Sequence, residues 1–461
     1  MGFDSVIQGG TVVTASDRYP ADLGIRGEKI ETIAPSLPAD GANVIDAKGC
    51  FLLPGAIDVH SHLDMPFGGT STADDFESGT ISAACGGTTT VVDFAIQFKG
   101  QSPRQGIDTW HKKAEGKACV DYGFHLILTE LPESSEKELD ALVAEGISSF
   151  KVFMAYPGVF MLDDASIFRL LRRTKENGAL TTIHCENGGA IDVLVKLARE
   201  KGEKAPKYHA LTRPARAEAE ATARALALAE IAKAPVYIVH LSAAEALDQV
   251  RVARDRGLAA YAETCPQYLF LSYKNYEEAG FEGSKYVMSP PLREAGNEEF
   301  LWKGLKNDVL QVVSTDHCSF CMNQKELGKD DFSKIPNGAP GLETRLYLMY
   351  DGGVRAGRIS LERMVDLTAT KPAKMFGLYP KKGTIAVGGD ADVVVWDPEK
   401  KFTITTKALH SKADYTPYEG RAVTGAPRCV LQRGQVIVKD NAFVGKKGAG
   451  RFLRRGTFKQ P

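Results

Sequence analysis

The 461-residue chain lacks any run of the ~18 consecutive apolar residues that a membrane-spanning helix requires, so no bilayer span is expected. It also lacks an excess of either charge: 57 Lys and Arg stand against 58 Asp and Glu, a formal net charge of −1. That balance leaves no basic footprint for nucleic acid or an anionic membrane, and the expected partner is a small molecule. The opening Met-Gly-Phe-Asp-Ser-Val has no apolar core of a secretory signal, and Val6 stands where a myristoylation pattern needs Ser or Thr. Cysteine is scarce, with eight spread along the chain, which excludes a disulfide scaffold and suggests reduced thiols in a cytoplasmic protein. Cys318 and Cys321 form one Cys-x-x-Cys pair without two further ligands nearby, and are expected to be incidental. There is no internal repeat and no Gly-x-Gly-x-x-Gly. What is abundant is glycine, 45 residues against a usual ~7%, scattered through turns as a fold with many tight connections requires.

At roughly 100–200 residues per domain, the length allows one to four domains. The first fifty residues predict short strands at Val6–Val13, Asp22–Arg26, Lys29–Ile33 and Val44–Asp46, separated by Gly, Asp and Pro. The same texture returns at Val393–Trp396, Phe402–Thr405, Val430–Gln432 and Gln435–Val438. Two strand-rich flanks around a different middle predict one small β domain built from both termini, residues 1–51 and 376–461, the latter including a C-terminal tail. The middle, 52–375, alternates strands with helical patterns. Strands are predicted at Ala56–His62, Thr88–Ala95, Tyr122–Thr129, Ser149–Ala155, Leu180–Cys185, Val236–Leu241, Ala259–Thr264 and Val309–Thr315. Eight strands, each followed by helix, is the count of an α/β fold of the (β/α)8 barrel kind. An open doubly wound sheet is the alternative, but it would call for the missing glycine fingerprint.

Barrel chemistry occurs at the C-terminal ends of the strands, and that is where the unusual residues stand. The first strand ends in His60-Ser-His62, whose imidazoles share one face because residues i and i+2 point the same way. The fifth ends at His184, the sixth at His240 and the eighth at Asp316. Four histidines and an aspartate at strand ends are difficult to explain by packing and point to a metal site. They are too many for one tetrahedral ion and suggest two. The fourth strand offers only Lys151. Either it is an ordinary ion-paired lysine, or it carries CO2 as a carbamate whose two oxygens could bridge two ions.

These segments resemble the cyclic-amidohydrolase branch of the amidohydrolase superfamily, and within it the dihydropyrimidinases and D-hydantoinases. The resemblance runs through Gly55-Ala-Ile-Asp-Val-His-Ser-His-Leu-Asp-Met-Pro, Phe150-Lys-Val-Phe-Met-Ala-Tyr156, His184-Cys-Glu-Asn-Gly and Glu263-Thr-Cys-Pro-Gln-Tyr. It continues through Ser289-Pro-Pro-Leu-Arg, Ser314-Thr-Asp-His-Cys and Pro336-Asn-Gly-Ala-Pro-Gly, and covers nearly the whole chain. It implies that the small domain is a β-sandwich and that Lys151 is N6-carboxylysine. It implies that His60, His62 and Asp316 hold the more buried ion, and that His184 and His240 hold the other. Zinc is the implied metal, with manganese or cobalt compatible with the same ligands. Tyr156, Ser289 and Asn337 match positions that bind the cyclic amide, the last two largely through backbone groups. The remaining histidines, 111, 125, 209, 317 and 410, match no ligand position and are expected to be structural. A homo-oligomer, tetramer or dimer, is also implied.

The implied activity is hydrolytic opening of 5,6-dihydropyrimidine or 5-substituted hydantoin rings to N-carbamoyl amino acids. Two ions would lower the pKa of a water between them towards ~7. Tyr156 would donate to the developing oxyanion, and Asp316 would carry a proton to the leaving nitrogen. Met65, Phe67, Phe153 and Phe160 are the expected apolar wall for the ring substituent. Dihydroorotases are similar but carry Arg where this chain has Asp64. An allantoinase-like ureide hydrolase is the nearer alternative. A non-catalytic scaffold of the same fold is the alternative of a different class, and the six filled ligand positions argue against it.

Overall fold

In the computed structural model, which describes residues 2–461, the middle of the chain winds into eight parallel strands. They are β1 (Ala56–Ser61), β2 (Thr88–Gln97), β3 (Asp121–Leu128), β4 (Ser149–Phe153), β5 (Leu180–His184), β6 (Val236–Ile238), β7 (Ala260–Thr264) and β8 (Val312–Val313). Each pairs with its sequence neighbour, and every residue of these strands is buried, as strands covered on both faces must be. The predicted helices follow in turn, among them Glu136–Ala144, Asp164–Asn177, Ala215–Ala232, Ala244–Asp255 and Asn297–Lys306.

The seam between β8 and β1 is held largely by side chains. A single bridge joins Ser61 and His317, where the His62 N–H donates to the His317 carbonyl at 2.8 Å. Arg345, fully buried, donates from Nη1 to Ile57 O of β1 at 2.9 Å and to Val313 O of β8 at 3.0 Å. Asp58 accepts from the His60 N–H at 3.1 Å and from the Thr315 hydroxyl at 2.6 Å. Both side chains bring the last strand to the first and so place residue 316 beside residues 60 and 62.

The terminal segments form two facing sheets. One contains Lys29–Ala34, Asp22–Arg26, Ser5–Gln8 and Asn43–Asp46 in that order. The other has seven strands, in which Phe51–Pro54 lies between Thr11–Val13 and Val393–Thr403. Ile7, Leu23 and Ile25 of the first sheet pack with Val12, Leu52, Val393, Val395 and Leu431 of the second in one apolar core. Burying each such side chain stabilises by ~1.5–3 kcal/mol, which is what holds the two ends of the chain together. This is the expected sandwich.

Three local expectations differ. Val6–Val13 is not one strand: Gly9, at φ +76°, turns the chain so that Ser5–Gln8 and Thr11–Val13 enter different sheets. β6 and β8 pair over fewer residues than their apolar runs suggest, because their ends leave the ladder to carry His240 and Asp316. Phe402–Thr403 extends the long strand from Val393 rather than starting its own. The tail then returns beneath the barrel, where buried Arg455 donates to Phe124 O and the Ser149 hydroxyl.

Candidate active site

The ends of β1, β4 and β5 and the turns after β6 and β8 bring His60, His62, Lys151, His184, His240 and Asp316 together. His60 Nε2 and His62 Nε2 lie 3.1 and 3.3 Å from the same Asp316 oxygen. One ligand atom from each of these three residues falls within 4.8 Å of the others. Lys151 Nζ is 3.0 Å from His60 Nε2. His184 Nδ1 faces His240 Nε2 at 2.9 Å, and the His60 and His240 ring centroids are 5.1 Å apart.

This donor set fits a pair of divalent ions. It gathers imidazoles and a carboxylate at the strand ends, and the buried His62 and His240 Nδ1 atoms have no hydrogen-bond partner among the described residues. Lys151 is nearly inaccessible and lies 4.3 Å from the Phe94 ring centroid and 4.9 Å from that of Phe153. Among the described residues no carboxylate comes within 4 Å of it, and burial draws its pKa down to about 8. Asp316 and Glu263 oppose that fall, and the two rings also favour a cation. Burial works against ionisation of Asp316, yet His60 and His62 hold its carboxyl well below the usual range.

Two carboxylates that sequence reasoning passed over orient the imidazoles. Glu263 ends β7, pairs with His60 Nδ1, and accepts from the Tyr237 hydroxyl at 2.9 Å and the His240 N–H at 3.1 Å. Glu186 accepts from His184 Nε2 at 2.8 Å and from Arg213 at 3.2 Å. Such carboxylate–imidazole contacts fix the ring tautomer and make the other nitrogen a better ligand. The available signal was position: Glu263 closes a barrel strand as the histidines do, and Glu186 lies two residues past His184.

A cleft opens over the cluster and is lined by Met65, Phe67, Phe153, Tyr156, Phe160, Ser289 and Asn337 as well as by His62, Lys151, His184, His240 and Asp316. Asn337 Nδ2 lies 3.3 Å from the Tyr156 hydroxyl and 3.2 Å from the Ser289 hydroxyl. The Ser289 carbonyl and the Asn337 N–H have no hydrogen-bond partner among the described residues. The two side chains are neighbours, so these segments offer one free acceptor and one free donor, the complement of the N–H and C=O of an amide. Burial raises the Tyr156 pKa, so its hydroxyl remains a donor. The Phe153 and Phe160 rings stack at 5.2 Å, and Phe67 and Phe160 at 6.1 Å.

The five other histidines have partners of their own. His125 bonds the Ser149 hydroxyl and Val59 O, His209 bonds Met288 O, and His410 pairs with Glu343. His317 contacts Asp74 through Nε2 and accepts the Gly341 and Leu342 N–H groups at Nδ1, while His111 packs edge-on against Phe124 and Phe452. All eight cysteines are free thiols, Cys318 among them at the cleft.

Residues 51–437 match the Amidohydrolase family. The chain is 52% identical to a D-hydantoinase of Geobacillus stearothermophilus, covering 98% of this chain and 97% of the relative. It is also 52% identical to a D-hydantoinase of Streptomyces coelicolor, covering 99% of each. The solved dihydropyrimidinase from Brevibacillus agri superposes with a TM-score of 0.98 at 52% identity, over 99% of this chain and 100% of that one. The family implies a binuclear metal centre, and the strand-end cluster stands where a barrel would hold it. The chain therefore belongs to the amidohydrolase family and is a hydrolase.

Proposed function

We propose that this enzyme opens 5,6-dihydropyrimidine or 5-substituted hydantoin rings to N-carbamoyl amino acids. The observation that carries this reading is that the donor cluster shares one cleft with Ser289 and Asn337, whose C=O and N–H have no hydrogen-bond partner among the described residues. In the proposal His60, His62 and Asp316 hold one divalent ion and His184 and His240 the other. Lys151, carrying CO2 as a carbamate, would supply the further oxygen donors for both ions. When bound, two zinc ions (or manganese or cobalt) supply Lewis acidity and a water of lowered pKa.

The protein's own groups account for the rest. Ser289 and Asn337 hold the ring by its amide edge, and Tyr156 donates to the carbonyl oxygen as negative charge develops there. Asp316 takes the proton of the attacking water and delivers it to the departing ring nitrogen, which would otherwise leave as a poor amide anion. Met65, Phe67, Phe153 and Phe160 wall the ring substituent. Asp64 is paired with Lys113 at 3.7 Å and offers no cation for a substrate carboxylate, which disfavours dihydroorotate. Relatives named D-hydantoinase support a preference for the D hand. The proposal includes a chain divided at 1–51, 52–375 and 376–461, although Phe51–Pro54 as a strand straddles the first boundary. It also includes a homotetramer or homodimer in the cytoplasm, the free thiols supporting a reducing compartment.

The test is a substrate panel of dihydrouracil, hydantoins of both hands, allantoin and dihydroorotate, with metal measured on the same sample. Ring opening of the first two classes with about two metal equivalents per chain is expected. Turnover of allantoin or dihydroorotate alone, or of none, would overturn the proposal.

A further inference from the structure

Lys325 closes the short helix Met322–Lys325 and is fully buried. Its Nζ donates to Val287 O at 3.0 Å, Pro336 O at 2.7 Å and Gly338 O at 2.7 Å. An ammonium has three N–H bonds, and here each has a carbonyl. Among the described residues no carboxylate lies within 4 Å, and the nearest aromatic ring, Phe320, is 5.6 Å away. Burying a cation without a counter-ion is costly, so three converging carbonyls call for a reason beyond packing.

The three carbonyls belong to the two segments that form the amide-binding edge. Val287 precedes Ser289 by two residues, and Pro336 and Gly338 flank Asn337. The same segments also meet through the Gly338 N–H, which donates to Val287 O at 2.9 Å. Pro336 C=O and Asn337 N–H are one peptide group. In a trans peptide the two point in opposite directions, so a carbonyl drawn towards Lys325 turns the Asn337 N–H away from it. A carbonyl hydrogen-bonded to a cation also polarises its peptide and makes the N–H a stronger donor.

We infer that Lys325 is a positioning residue for ring binding: its buried ammonium fastens the Ser289 segment to the Asn337 segment and aims the Asn337 N–H at the substrate amide. This rests on the cyclic-amide reading above. Burial draws the Lys325 pKa down to about 7, against a raising influence of Cys318; the three carbonyls accept from the charged form.

The experiment compares the metal-loaded parent with Lys325→Met and Lys325→Gln. It follows metal content, thermal unfolding, and kcat and KM for dihydrouracil or a hydantoin, whichever the parent opens. Lys325→Met is expected to keep its metal and its cooperative unfolding while KM rises about tenfold or more and kcat changes less. Lys325→Gln, which retains two N–H donors, should fall between Lys325→Met and the parent. An unchanged KM in a folded, metal-loaded Lys325→Met enzyme would overturn the inference. So would activity lost only in proportion to lost metal, or failure of both variants to fold, since the lysine would then be structural alone. A parent that opens no cyclic amide fails the functional reading itself and takes this role with it. An active parent with unaltered variants fails only the lysine.

Discussion

Tyr156, His240 and Asp316 hold φ values of +63°, +37° and +52°, a region that residues with a Cβ seldom occupy. Each such residue costs ~1–3 kcal/mol and persists only where its surroundings enforce it. All three meet in the cleft, so the strain lies where side chains must be aimed off the ends of strands. Buried charges are enforced in the same way. Burial alone would raise the pKa of Glu186, but Arg213 and His184 outweigh it and hold the carboxyl at about 2 against its usual 4.5. With the folded value the lower one, the unfolded chain takes up the extra proton first. The stability contributed by Glu186 is thus complete above about pH 4.5 and drains away as pH falls towards 2. A shift of that size corresponds to roughly 3 kcal/mol. In metal-free protein the urea midpoint of the parent should therefore fall more steeply than that of Glu186→Gln between about pH 5 and about pH 3. Parallel curves would show that Glu186 is not held ionised. The ligand candidates were legible because four histidines and an aspartate gathered at strand ends are difficult to explain by packing, although a lone histidine there is usually a satisfied polar cap. Glu263 was not singled out because its partner His60 lies on another strand, and Glu186 because a carboxylate two residues past a histidine follows no ligand spacing rule.

At the scale of elements, strands covered on both faces read as apolar runs, which is why the eight barrel strands could be placed from residue type alone. Their pairing lengths could not, because chain that leaves the ladder to carry His240 or Asp316 has the same composition as chain that stays. The end of β4 and the loops after β1 and β4 bring Phe153, Met65, Phe67 and Phe160 to one wall. Phe67, Tyr156 and Phe160 also border a wider apolar mouth with Phe98, Val159 and Leu327. A hydrophobic wall discriminates by only ~1–3 kcal/mol per methylene-sized difference, so substrate preference should be graded. Phe160→Ala should raise kcat/KM for an aryl-substituted hydantoin relative to hydantoin, roughly tenfold, with metal content unchanged. An unchanged ratio would remove Phe160 from the wall.

At the scale of the molecule, the cluster exists only because the barrel closes. His60 and Asp316 are 256 positions apart in the chain, and they meet through a seam pinned by Arg345, Asp58 and the Ser61–His317 bridge. No local pattern in the sequence announces that seam, since Arg345 reads as an ordinary helix residue until both carbonyls it binds are in place. Lys151 reaches the same point from the far side of the ring, at β4, where it is buried with no carboxylate within 4 Å among the described residues. If Lys151 is the carbamate proposed above, metal binding and ring opening both depend on it. The most direct measurement is metal content and dihydrouracil or hydantoin turnover of Lys151→Ala beside the parent, with and without added bicarbonate or a short carboxylic acid. The expected result is loss of both metal and turnover, with partial recovery when a small carboxylate supplies the missing oxygens. A Lys151→Ala enzyme that keeps its metal and full turnover would contradict the bridge.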